Sequence, residues 1–227
     1  MIRSVARAPF STKERLIQIA EMLYAEHGLD GVSLRQISAR AGASNNSAVQ
    51  YHFGSRDGLV DAIFEYRLPE MHERRRLLVA QHRPADLRSW VECFVLPTLE
   101  QGERSDSHYL GFVAKMQHQA QEGLMQRLPD RYRVATQEYL EQMAAQMAGV
   151  PEPLRSHRIG QALAFSVHSS AEREWARAAG HRVLPFGIHV TDLLDGLVGF
   201  LIAPVSAAAW RAVSEGEIVG RGWSFVA

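Results

Sequence analysis

Three helix-start signals fall within the first 55 residues, and they restrict the start of this chain to a cluster of helices. Ser11 with Glu14, and Ser33 with Gln36, each spell a capping box, S-x-x-E/Q. In that arrangement the serine hydroxyl accepts from the third helical amide while the acid or amide reaches back to the serine N–H. Ser55 precedes a third start, with Asp57 in a first turn where the helix dipole favours negative charge. Between these starts the apolar residues recur at helical spacing: Leu16, Ile17, Ala20, Leu23 and Tyr24 before Gly28, then Leu34, Ile37 and Ala41 before Gly42. Glycine is a frequent helix stop because it tolerates left-handed backbone. The spacing predicts helices over 11–28, 33–41, 45–52 and 55–78.

Downstream, Pro129, Pro151, Pro153, Pro185 and Pro204 punctuate further helical stretches at about 85–101, 105–121, 130–148, 152–179 and 187–203. Runs of alternating β-branched residues between hairpin turns are absent, so the expected class is all-α. Val190, Leu193, Leu194, Leu197, Val198, Leu201 and Ile202 form a stripe widened by Gly196, Gly199 and Phe200, the pattern of a helix buried on more than one side. On the preceding helix Ala162, Ser166 and Ser170 recur every fourth residue, a small-residue row that permits close approach of a second subunit.

The 227 residues carry 25 basic and 25 acidic side chains and no net charge. Residues 1–60 hold seven Lys/Arg and five acids, a slight local excess of positive charge. Local field rather than global balance governs attraction to nucleic acid, so neutrality does not exclude DNA. Cys93 is the sole cysteine, which excludes an intrachain disulfide and fits a reducing cytoplasm. The N-terminus lacks a continuous apolar run, and GLVGFLIAPV is too short to span a bilayer, so the expectation is a cytoplasmic protein with no membrane partner.

The most informative segment is SNNSAVQYHF, residues 44–53. A solvated helix normally carries Glu and Lys, the better helix formers. This one carries Asn, Ser, Gln, Tyr and His, with no Lys or Arg between Arg40 and Arg56. Two short helices joined by a tight glycine turn have the layout of a helix-turn-helix. The second such helix enters the major groove, where Asn and Gln bond adenine and hydroxyls reach bases or phosphates. Arg35, Arg40, Lys13 and Arg56 supply phosphate attraction nearby. Ala48, Val49 and Phe53 make the inner face.

The strings ERLIQIAEMLYAEHGLDGVSLRQISARAGAS and VQYHFGSRDGLVDAI carry a resemblance. Over residues 11–64 the chain resembles the N-terminal domain of TetR-type transcriptional regulators. From Gly42 to Phe53 it holds one residue more than the commonest family form, and Asn45 and Asn46 replace the usual basic-glycine pair. The resemblance implies a helix-turn-helix DNA-binding domain at 11–58, then a larger helical effector-binding and dimerisation domain at 59–227. It implies Ser44, Asn45, Asn46, Ser47 and Gln50 near bases, with Tyr51, His52, Arg35 and Arg56 at phosphates. It also implies a homodimer formed through the last two long helices. The function expected is that of a repressor, released from a palindromic double-stranded operator by a small apolar effector.

Trp90, Cys93, Phe94, Tyr109, Phe112, Met116, Met143, Met147, Phe165, His168 and Trp175 are the candidate lining of an effector cavity, since Met and aromatics suit an adaptable apolar site. The same residues serve equally as plain core. His168 with Glu172, and His189 with Asp192, stand at helical spacing but lack further ligands, so no metal is expected. No nucleophile elbow, Walker loop, H-E-x-x-H or dinucleotide fingerprint occurs, so neither an enzyme nor a cofactor is expected. A helical ligand sensor acting through a protein partner remains the alternative.

Overall fold

The computed structural model describes residues 11–42, 48–119 and 124–215, and every regular element among them is a helix. At the N-terminus stand α1 (Thr12–His27), α2 (Leu34–Arg40) and α3 (Ala48–Phe53), followed by the long α4 (Arg56–His82). Then come α5 (Leu87–Gly102), α6 (Tyr109–Gln119), α7 (Leu124–Arg127) and α8 (Asp130–Ala145). The chain finishes with α9 (Glu152–Ala178), α10 (Phe186–Ile202) and α11 (Ala207–Ser214).

Both capping boxes form. The Ser11 hydroxyl accepts from the Glu14 amide at 3.2 Å while Glu14 accepts from the Ser11 N–H at 2.8 Å. Ser33 and Gln36 repeat the exchange at 3.3 and 2.8 Å. Ser55 caps α4 through the Gly58 amide at 3.0 Å. Each cap contributes about 1 kcal/mol by satisfying an amide that has no helical partner.

Three helix limits differ from the periodicity. α4 continues past residue 78 to His82, because its true stop is Arg83, in left-handed backbone (φ 47°) immediately before Pro84. α6 begins at Tyr109 rather than 105, because backbone groups of residues 106 and 108 are taken up by side chains of α1 and α4. α11, capped by Ser206, lies beyond the last expected helix.

Two apolar clusters hold the helices together. One joins Leu16, Ile17, Ala20 and Tyr24 of α1 to Ile37, Val49, Leu59, Ile63 and Phe64, and takes in Leu110, Phe112 and Met116 of α6. The second gathers α5, α8, α9 and α10 around Val91, Leu99, Met143, Ile159, Leu194 and Leu197. α9 enters both, through Val167 and Ala171 in the first and Ala162 and Leu163 in the second. Gly111 permits the closest approach: a Cβ there would stand 3.1 Å from Ala25 of α1 and 3.0 Å from the Trp175 ring of α9.

The row Ala162, Ser166 and Ser170 faces into the subunit and is buried, which corrects its assignment to the approach of a second copy. The Ser166 and Ser170 hydroxyls donate back to the helix's own carbonyls at 2.8 and 2.7 Å, so they fit an apolar interior without external partners. The large apolar residues that α9 and α10 leave exposed are Phe165, Trp175, Ile188, Phe200 and Ile202. No single helix among the described residues is long and apolar enough to cross a membrane.

Candidate nucleic-acid interface and ligand cavity

The interface begins with how α3 is held. Val49 is fully buried and Phe53 packs against the first core, with the Lys13 ammonium 5.9 Å from its ring centre. These contacts turn the opposite side of α3 outward. Gln50 is exposed, and Tyr51 is 85% exposed with its ring edge-on to His52 at 5.0 Å. An aromatic side chain so far from any core is a contact surface in waiting. Gly42, at φ 67°, makes the turn after α2 in backbone that a residue with a Cβ rarely adopts. Lys13, Arg15, Arg35 and Arg40 are exposed on α1 and α2. Ser44, Asn45, Asn46 and Ser47 lie outside the described residues.

Arg56 makes two contacts within the fold. One of its N–H groups donates to the Val32 carbonyl at 3.2 Å, and another reaches Asp30 at 3.4 Å. It thereby fastens the first turn of α4 to the connection between α1 and α2. The resemblance placed it at a phosphate; within the folded chain its main contacts are these two, because the α4 start packs directly beside that connection.

A buried ion pair binds the N-terminal helices to the rest. Arg67 of α4 forks onto Glu21 of α1, Nε to Oε2 at 2.7 Å and Nη2 to Oε1 at 2.8 Å, and both residues are almost wholly buried. Arg67 also donates to the Asp106 carbonyl at 2.9 Å, and Glu21 accepts from the His108 amide at 2.8 Å. α4 meets α7 where Arg127 donates to Asp57 of its first turn at 2.9 Å, and α8 where Arg131 pairs with Glu65 further along.

The cavity lies below this junction, with a volume of about 70 Å³. Phe64, Leu68, Met71 and Arg75 of α4 form one wall; Phe94, Val95 and Thr98 of α5 form another. Tyr109 and Val113 of α6, Leu128, Thr136 of α8, and Leu163, Ser166 and Val167 of α9 close it. Of the residues expected to line it, Phe94 and Tyr109 do so. Cys93, Phe112, Met116, Met143 and Met147 are buried in the cores instead, and burial pushes the Cys93 thiol up. Trp90 packs against Tyr139 with ring centres 6.2 Å apart. Phe165 and His168 are on the outer side of α9, Phe165 being 57% exposed and His168 facing Glu172 at 3.4 Å, while Trp175 lies at the edge where α9 meets α6, beside Gly111 and Lys115. Composition identifies apolar residues on α9 but not which side of it meets α6.

Sequence reasoning missed Arg75, a charged residue that is only 4% exposed. Its Nε donates to the Phe94 carbonyl at 3.0 Å, its Nη2 to the Thr98 hydroxyl at 3.1 Å, and its Nη1 sits 3.3 Å from His72 Nε2. The guanidinium lies 4.0 Å from the Phe94 ring centre. Burial pulls Arg75 down to about 10, still charged at neutral pH. Burial, then the Arg75 charge, pushes His72 down to about 3, so the ring is neutral. Its nitrogen can therefore accept from Arg75 rather than compete with it. Leu78 and Leu68 flank the Arg at helical spacing, a polar interruption in a buried face that is the one available sequence signal.

Comparison with known proteins bears on the first part of the chain. Residues 10–63 match the family profile described as bacterial regulatory proteins, tetR family. The HTH-type transcriptional repressor KstR2 of Rhodococcus jostii (strain RHA1) is 29% identical over 106 residues, which are 47% of this chain and 50% of that protein. The chain thus spans about half the length of the curated relative it matches. A transcriptional regulator from Rhodococcus sp. Rha1 superposes with a TM-score of 0.55 at 21% identity, covering 85% of this chain and 96% of that one. The fatty acid degradation regulator FadR from Bacillus halodurans does so at 0.52 and 13% identity, covering 86% and 97%. At these identities the structural likeness is one of fold.

Proposed function

We propose, from the premise that this chain carries a TetR-family N-terminal domain, that it is a ligand-responsive repressor of transcription working on DNA in the cytoplasm. The observation that carries the reading is the course of α4. This one helix is fastened by Arg56 and Arg67 to the DNA-binding helices, and its middle residues Phe64, Leu68, Met71 and Arg75 form a wall of the cavity. A ligand that pushes on this wall moves the helix to which the recognition unit is tied. It shifts the balance only by its differential affinity for the two arrangements.

The protein acts as a homodimer in this reading. Ile188, Phe200 and Ile202 of α10 and Phe165 of α9 are large apolar side chains left in water by a single subunit. A two-fold dimer presents two α3 helices to successive major grooves, about 34–36 Å apart. Gln50 reads bases, Tyr51 and His52 touch phosphates, and Arg35 draws the DNA backbone.

The test is selection of bound duplexes from a random pool by the purified protein at two salt concentrations. The expected result is an enriched palindrome with half-sites about one helical turn apart. Binding without sequence enrichment at either salt concentration overturns the reading.

A further inference from the structure

The cavity is mostly apolar, and one whole positive charge is set into its wall. Among the described residues no carboxylate pairs with Arg75; its partners are a carbonyl, a hydroxyl and a neutral ring nitrogen. The other buried arginine among the described residues, Arg67, does have a carboxylate, Glu21, in a two-bond fork. A guanidinium offers five N–H donors. Three of Arg75's contacts are accounted for, so two donors are left for a further acceptor. Tyr109, Thr136 and Ser166 bring hydroxyl groups to the same lining, while Phe64, Leu68, Val113, Leu163 and Val167 make the remainder apolar.

A buried, uncompensated charge is costly unless something of opposite sign reaches it. Guanidinium and carboxylate match in planar two-bond geometry. We propose that the effector is an anion, a small monocarboxylate with an apolar body, whose carboxylate pairs with Arg75 while its hydrocarbon occupies the space between Leu68, Val113 and Leu163. This inference rests on the cavity being the effector site, and it adds a charged end to the small apolar effector expected. The volume of about 70 Å³ favours a short hydrocarbon body and obliges anything longer to displace α4. Displacement of α4 is the movement that would reach the DNA-binding helices.

The experiment uses the full chain and two homologous series, straight-chain carboxylates of four to eight carbons and the primary alcohols of the same lengths. Binding is read by isothermal calorimetry, and release of a selected duplex by fluorescence anisotropy. The expected result is that a carboxylate binds roughly tenfold to a hundredfold more tightly than its matching alcohol, the range of a charge-assisted hydrogen bond. Arg75→Met should erase that ratio while leaving the alcohol affinities within about threefold, since it keeps the bulk and removes the charge. Alcohols binding as well as carboxylates, or no binding by any carboxylate, overturns the proposal. The comparison within the wild-type protein does not depend on the variant folding. Carboxylates that bind through Arg75 but leave the duplex bound uphold the anion site and overturn the effector reading. Alcohols that bind as tightly as the matching carboxylates and release the duplex uphold the effector reading and overturn the anion.

Discussion

Removing Glu21 should be among the most damaging single changes in this chain. Glu21→Ala strands the Arg67 guanidinium, 3% exposed, with only the Asp106 carbonyl to bond, and deprives the His108 amide of its acceptor. Breaking a buried pair by deleting one partner costs about 3–5 kcal/mol, because the charge left behind has neither water nor counter-ion. For a chain of this size each kcal/mol lowers the melting temperature by about 2–4 °C, so the expected fall is roughly 6–20 °C. Urea unfolding followed by circular dichroism gives the free energy, and the slope with denaturant should stay unchanged if only stability is affected. Glu73→Ala is the control, since Glu73 pairs with Arg76 at 2.7 Å in the open, where such pairs contribute about 0–1 kcal/mol. The double variant Glu21→Leu with Arg67→Met removes both charges and should recover at least about 2 kcal/mol over Glu21→Ala. A loss under about 1 kcal/mol for Glu21→Ala refutes the reasoning. So does a double variant no more stable than the single one, which would mean the stranded charge is not the source of the damage.

Three further outcomes are expected. Gln50→Ala should relax base preference at one position by about 1–3 kcal/mol, whereas Arg35→Ala should weaken binding alike on all duplexes and reduce the salt slope by about 1, both read from anisotropy titrations. Glu174 is buried with Oε2 lacking a partner, and burial raises its carboxyl to about 8 from 4.5. Between those pH values the folded protein keeps a proton that the unfolded chain has released, so stability falls as pH rises, by up to about 1.4 kcal/mol per unit. Glu174→Gln should flatten that slope in thermal melts between pH 5 and 8 and leave the melting temperature near pH 5 close to wild type. Ile188→Glu and Phe200→Glu should each convert dimer to monomer in sedimentation velocity with little change in helix content, because these side chains touch water in the single subunit.

The capping boxes, glycine stops and helical periodicity are local, and they appear in the structure where the residues place them, as at Ser11, Ser33 and Ser55. A hydrogen bond between residues three apart does not depend on what packs around it, so the start of each of these helices was readable in advance. The same holds for the exposed side of α3: Val49 and Phe53 point inward, and helix geometry then turns Gln50 and Tyr51 outward. The cavity was less legible. Phe94 and Tyr109 are in its lining and Met143, Met147 and Phe112 are not, though all five are large and apolar or aromatic. Periodicity says that a side is buried but not against which neighbour.

The all-helical class, the helix-turn-helix and its polar outward side are legible from the residues alone, because each follows from contacts within one or two helical turns. The pairings over long distances along the chain are not. Glu21 meets Arg67 across 46 residues, Arg56 secures Val32 across 24, and Arg75 lies buried beside Phe94 with no acid among the described residues to meet it. The row of Ala162, Ser166 and Ser170 looked like a surface for a second subunit, but the helices of its own subunit bury it. An arginine or a small residue reads the same in a sequence whether it ends up in water or in a core; its surroundings are fixed by which helices cross above it, and those crossings are set by packing throughout the whole chain.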